Sequence, residues 1–193
     1  LEAFFASMAG TAGAVACFAI FYLSTAYALA QGTSALGYSR ETFLTVQLGA
    51  NCFFALGILI AVIQADRVGS GTVLFLGSIA TIGMGFLFGP GLQSGSLLTV
   101  FATLSASLLV MGLVYGPLGS WLPTLLPVMV RYSGISLAFN LGGIVGGALA
   151  PLAAQQLAAA GQGDKAGWLM SAAGVLTGAG VLWARKYQSS AAG

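Results

Sequence analysis

The chain has 193 residues and ten charges, placed so that five stretches contain none: 3–39, 42–65, 68–130, 132–163 and 166–184. A helix crossing the hydrocarbon core of a bilayer needs about 20 mostly apolar residues, and a charge at its centre costs several kcal/mol. Soluble domains carry about 25% charged residues. Here the figure is 5%, with 58% hydrophobic residues. A single water-soluble core could not absorb that much apolar surface, so the chain is read as a polytopic membrane protein.

Cutting at charges, Gly/Pro clusters and polar turns predicts six spans: 3–30, 43–64, 72–90, 96–120, 134–157 and 166–184. The 68–130 stretch must hold two of them, because one helix of that length would far exceed the bilayer. Residues 91–95, Gly-Leu-Gln-Ser-Gly, form the natural break. Membrane strands alternate apolar and polar residues over about ten positions, whereas these runs are continuous and rich in Ala, Leu and Gly. The expected fold class is all-α.

Orientation follows the Lys and Arg count in short loops. Arg67, Arg131, Arg185 and Lys186 fall on one side, Arg40 and Lys165 on the other, which places both termini in the cytoplasm. No basic run is long enough to suggest nucleic acid. Cys17 and Cys52 lie inside predicted spans and there is no His. Neither a disulfide framework nor a metal site can be assembled, and both cysteines are expected to be small buried apolar residues. The first span lacks a basic leader and is too long for a cleaved signal peptide. A chain that starts at Leu1 rather than Met is expected to be a piece of a longer protein.

Small residues let helix backbones approach closely in lipid, and 29 glycines are available. Gly85/Gly89, Gly112/Gly116, Gly142/Gly146, Gly143/Gly147 and Gly174/Gly178 are spaced to give smooth helix faces. Packing seams are the plainer reading of these pairs, sliding or bending surfaces the sharper one. Pro117 and Pro151 each remove a helical N–H and favour a kink. Gly112, Gly116, Pro117 and Gly119 make the fourth span a candidate gate, and the glycine cluster before Pro151 makes the fifth a second. Gly69-Ser70-Gly71 is no nucleotide loop, since no strand precedes it and no Lys follows.

No carboxylate, Lys or Arg lies within a span, so neither a nucleophile–base pair nor a metal site can be built there, and an enzyme is not expected. The neutral polar groups remain. Tyr22, Thr25 and Tyr27 lie in the first span, Tyr22 and Thr25 on one face. Gln47 and Asn51, a turn apart on the second span, project to the same side. Tyr115 lies in the fourth span and Asn140 in the fifth. Buried amides need hydrogen-bond partners, so they either bridge helices or line a wet cavity; for Gln47 and Asn51 both readings stand, and for Asn140 bridging is favoured. Trp121 reads as an interfacial anchor.

The loops carry a further signal. Tyr38-Ser39-Arg40-Glu41 precedes the second span and Ala65-Asp66-Arg67-Val68-Gly69 follows it. Pro123 and Pro127, then Arg131-Tyr132-Ser133-Gly134, lead into Ala138-Phe139-Asn140 and Ala150-Pro151. This series resembles the C-terminal six-helix half of the metabolite:proton symporters of the major facilitator superfamily, a group with proline/betaine, shikimate and α-ketoglutarate transporters. The resemblance covers essentially the whole chain. It implies an alternating-access transporter of a small organic acid or zwitterion, read as proton-coupled and set in the cell membrane, without a cofactor. It also implies two inverted three-helix repeats, 1–92 and 93–193, and a partner in the N-terminal six-helix half of the same protein. The first and fourth helices would line the cavity, favouring Tyr22, Thr25, Tyr27 and Tyr115. Asp66 and Arg67 match the conformational latch loop, with an Asp66–Arg131 contact expected to form and break. The latch is thinner than usual, because Ser70-Gly71 replace the basic pair after the glycine, and Thr124 and Met129 replace charged positions. The rival readings are a stand-alone six-span homodimeric carrier, a channel and a membrane scaffold.

Overall fold

The structure is a computed structural model that describes the backbone of residues 2–191 and the side chains of residues 6–186. Leu1, the residue behind the expectation of a longer protein, lies outside the described residues. Six helices are long and apolar enough to cross a membrane: α1 (Ala6–Ser34), α2 (Arg40–Val68), α3 (Ser70–Leu92), α4 (Leu97–Leu125), α5 (Val128–Ala159) and α6 (Gly163–Lys186). No strand occurs among the described residues, and the all-α expectation is met.

Most helices overrun the spans cut from the sequence by a few residues, because charges end an apolar run without ending a helix. Arg40, Glu41, Asp66 and Arg67 all lie within α2. Glu41 occupies its first turn and Arg67 its last, the arrangement that complements the helix dipole. Ser39 caps α2 by accepting the Thr42 amide at 3.2 Å. Gly69, at φ +85°, alone separates α2 from α3. Any side chain there would be strained.

Side chains of one helix pack directly on the backbone of the next. The principal pairings are α2 on α4, α3 on α4, α3 on α6, α1 on α6 and α1 on α5. The α2–α4 seam is the tightest to read. A Cβ on Gly112 would lie 2.7 Å from the Gly57 Cα, and one on Gly57 would press on the Leu109 carbonyl. Gly116 faces Ala61 across the same seam. Gly85 and Gly89 meet Gly167 and Asp164 of α6, while Gly142 and Gly146 meet Ala14 and Val15 of α1. Of the glycines expected to form a gate in α4, Gly112 and Gly116 therefore sit in a closed helix contact in this conformation, while Gly119 faces open space.

Polar stitches supplement the seams. The Thr177 hydroxyl of α6 accepts the Ala16 amide at 3.0 Å and donates to the Ala12 carbonyl at 2.9 Å. It thus stands inside the hydrogen-bond ladder of α1, between groups that would otherwise pair with each other. Ser171 of α6 likewise donates to the Ile82 carbonyl of α3 at 2.8 Å.

Two expectations are corrected. Cys17 is buried, but Cys52 is exposed, because it lies on α2, whose apolar window is only 22% buried against the other helices. Trp121 is not an interfacial anchor: it is 4% exposed, its indole seated against Gly13 of α1 and Gly71 of α3.

Overpacking a tight core costs about 1–3 kcal/mol, so Gly57→Ala is expected to lower the thermal midpoint of the purified protein. Gly83→Ala, with open space around the new methyl, should leave it unchanged or slightly raised. Equal midpoints for the two variants would contradict the seam.

Candidate functional site

Past its middle, α1 abandons regular α geometry. Leu23–Tyr27 form a π-helical turn, which widens the helix and shifts the ladder from i−4 to i−5, leaving carbonyls without their regular donors. The Gln47 amide of α2 supplies donors. Its Nε2 donates to the carbonyls of Ser24 at 3.0 Å and Thr25 at 2.8 Å. Gln47 is 7% exposed, so of its two readings the structure selects bridging. Asn51, one turn on, is exposed, and the two amides do not share an environment. Thr25 turns its hydroxyl back to the Phe21 carbonyl at 2.6 Å and is only partly buried.

A second π-helical segment, Gly143–Leu149, interrupts α5 just before Pro151. A proline ring crowds the carbonyl four residues earlier and cannot bond to it. The widened turn gives that ring room. Pro117, by contrast, sits inside the continuous helix of Leu97–Trp121.

The two π segments flank one groove. It encloses about 460 Å³ between α1 and α5, with Phe18 and Tyr22 on one wall and Phe139, Asn140, Gly143 and Gly147 on the other. Phe18 and Phe139 meet edge to face, with centroids 6.0 Å apart. Tyr22 rests on the π segment: a Cβ at Gly147 would lie 2.8 Å from its ring. Tyr22 is 39% exposed. Asn140 donates to the Ser136 carbonyl of its own helix at 2.8 Å and is exposed, so it does not bridge helices as expected. The groove offers aromatic surface, a phenol and an amide, and no ionisable carboxylate or base among its lining residues.

The other candidates lie elsewhere. Tyr27 is buried and borders a separate pocket of about 310 Å³ with Gln31, Leu36 and Gln93, at the end of the bundle where α1 and α3 finish. Tyr115 of α4 is 43% exposed and packs its ring 5.8 Å from that of Phe54. Arg131 donates from Nε to the Leu126 carbonyl at 3.4 Å, while Asp66 and Arg67 are exposed on the last turn of α2. The latch residues thus share one end of the bundle, with Arg131 turned to its own loop. No group of three or more His, Cys, Asp or Glu able to hold a metal occurs among the described residues.

Sequence reasoning missed Phe18 and Phe139 as groove walls and Thr177 as a stitch. Phe18 and Tyr22 are spaced i, i+4, the one available signal that they share a face. Nothing in the sequence marks Thr177 out from the other threonines.

No known family profile matches the chain, and no solved structure does. Curated proteins do. A metabolite transport protein of Haemophilus influenzae is 34% identical over 154 residues, covering 74% of this chain and 35% of that protein. The inner membrane metabolite transport protein YhjE of Escherichia coli is 34% identical over 153 residues, covering 77% and 35%. A second metabolite transport protein of H. influenzae is 28% identical over 154 residues. The chain spans about a third of the length of the relatives it matches.

Replacing Gln47 with Leu removes the donor to two buried carbonyls. The expected cost is about 1 kcal/mol, read as a lower thermal midpoint together with faster amide hydrogen exchange in residues 23–28. Unchanged exchange in that segment would show that the π turn does not depend on Gln47.

Proposed function

We propose, from the likeness to metabolite transport proteins, that the chain forms one six-helix half of a secondary transporter working by alternating access. The relatives are transport proteins rather than enzymes, and this is a multi-pass membrane protein. In the proposed reading the cargo is a small polar metabolite, an organic acid or zwitterion, moved with protons across the cell membrane. Both termini lie in the cytoplasm.

The observation that carries this reading is the groove between α1 and α5. Tyr22 and Asn140 stand exposed near the middle of their helices, where a polar group facing lipid is costly. Such groups are tolerated where they line a water-filled path. Alternating access gives them that path, between this six-helix unit and another. The least covered helices, α2 and α5, whose apolar windows are only 22% and 28% buried, offer faces for the second unit. The relatives' greater length leaves room for it.

The helix pairings also support two inverted repeats, 1–92 and 93–193. Exchanging α1, α2, α3 for α4, α5, α6 turns the α2–α4 contact into α5–α1 and the α3–α4 contact into α6–α1, and all four are present. Under that symmetry α1 and α4 are equivalent, and Tyr22 and Tyr115 become paired wall residues of the path. Asp66 and Arg131 act as the latch at the cytoplasmic end, engaged in another conformation.

With no Asp, Glu, Lys, Arg or His in the middle of any of the six helices, this half binds cargo through hydrogen bonds and aromatic faces. Proton coupling then rests on groups outside it. The protein expressed from its full reading frame, reconstituted into liposomes, is expected to accumulate members of a panel of small carboxylates and zwitterions under an inward proton gradient. A protonophore should abolish accumulation. Tyr22→Ala should slow uptake about tenfold, at the low end of the loss expected for a binding contact. No uptake of any panel member, with or without a gradient, would overturn the reading.

A further inference from the structure

A third cavity lies at the end of the bundle that carries four of the six basic residues. It encloses about 430 Å³, and its walls come from the start of α3, the end of α4 and the end of α6. Three sets of donors converge on it.

The first set is the N-terminus of α3. Its earliest intrahelical bonds are those of the Thr72 and Val73 amides, which reach the Gly69 carbonyl at 3.1 and 3.2 Å. The amides of Ser70 and Gly71 come before that point and have no helical acceptor, and the capping residue Gly69 has no side chain to receive them. The second is Arg185 of α6, whose guanidinium is held over the Phe75 ring at 5.9 Å and donates to the Thr72 hydroxyl at 2.8 Å. A planar guanidinium fixed by one donor keeps others for an oxyanion.

The third is the one that asks for a ligand. Trp121 is 4% exposed, yet its indole borders this cavity and its Nε1–H has no protein acceptor among the described residues. Buried indole N–H groups usually find a partner. The position of the ring is set by Gly13 and Gly71. A Cβ on Gly71 would lie 3.1 Å from Nε1 and 4.0 Å from the Arg185 Nε, which puts the indole and guanidinium donors beside the same helix start. Among the described residues that line the cavity there is no carboxylate.

We propose that this cradle binds a phosphate group. A helix N-terminus, an indole N–H and a guanidinium around one cavity supply charge and several directed donors, the set that suits a multi-oxygen anion. Its place at the polar end of the helices, where headgroups lie, favours the phosphate of an anionic phospholipid; a free phosphate ion offers the same chemistry.

The test uses the protein expressed from its full reading frame and purified in a non-ionic detergent. Its thermal midpoint is followed while sodium phosphate is titrated against sodium chloride at equal ionic strength. In a second arm phosphatidylglycerol is titrated against phosphatidylcholine in mixed micelles. A saturable rise specific to phosphate or to phosphatidylglycerol is expected. A response to phosphatidylglycerol alone identifies a lipid headgroup, and one to inorganic phosphate identifies a free anion. Arg185→Gln, an exposed position that leaves the bundle intact, should raise the half-saturating concentration about tenfold, the loss of one charge-assisted contact. Trp121→Phe keeps the ring and should weaken binding without Arg185 being touched. No saturable rise in either arm, or a rise that Arg185→Gln leaves unaltered, overturns the proposal.

Discussion

Close approach of helix backbones is the constraint on which the rest of this structure depends. In lipid, apolar side chains gain nothing by leaving the solvent for each other, so helices associate through van der Waals contact and the few hydrogen bonds that close contact permits. Gly57 against Gly112, Gly85 against Gly167, and Gly146 against Val15 bring backbones near enough for both. The Thr177 and Ser171 hydroxyls reach main-chain carbonyls on neighbouring helices because glycines such as Gly85, Gly167 and Gly180 let those helices approach closely.

The same closeness makes irregular helix geometry tolerable. A π turn exposes carbonyls that lipid cannot solvate, and the turn in α1 persists where a glutamine on α2 is near enough to bond two of them. In α5 the glycine-rich π segment lets Tyr22 rest against Gly147. The widened turns therefore fall where α1 and α5 face each other, and they shape the groove holding Tyr22 and Asn140. A regular helix in either place would put its side chains at other angles. Local backbone geometry thereby links helix packing to the surface proposed to meet the cargo.

Much of this was legible in the sequence, and the limits have physical causes. Charge-free runs, with the over-long 68–130 run split at residues 91–95, give the number of helices because a mid-membrane charge is prohibitive. They misplace the ends because Arg40, Glu41, Asp66 and Arg67 are comfortable on terminal turns. Spacing puts Gln47 and Asn51 on nearly one face, but a 40° offset per turn is enough for one to be buried and the other exposed. Trp121 reads as an anchor from its place near a helix end, and only the three-dimensional pairing of Gly13 with Gly71 shows the slot that receives it. Asn140 reads as a bridge, yet among the described residues its hydrogen-bond partner is Ser136 of its own helix. The π segments leave no sequence signal beyond glycine and a following proline in α5, and none in α1.

The central claim is that the α1–α5 groove faces water at mid-depth in the working protein. Cysteine accessibility tests it most directly, in the protein expressed from its full reading frame with the exposed Cys52 replaced by serine. Tyr22→Cys and Asn140→Cys are expected to react rapidly with a charged, membrane-impermeant thiol reagent. Leu87→Cys, on an exposed apolar face of α3 outside the groove, should stay unmodified. Modification at neither groove position, with the protein folded, would contradict the account and place that surface against lipid or a dry helix contact.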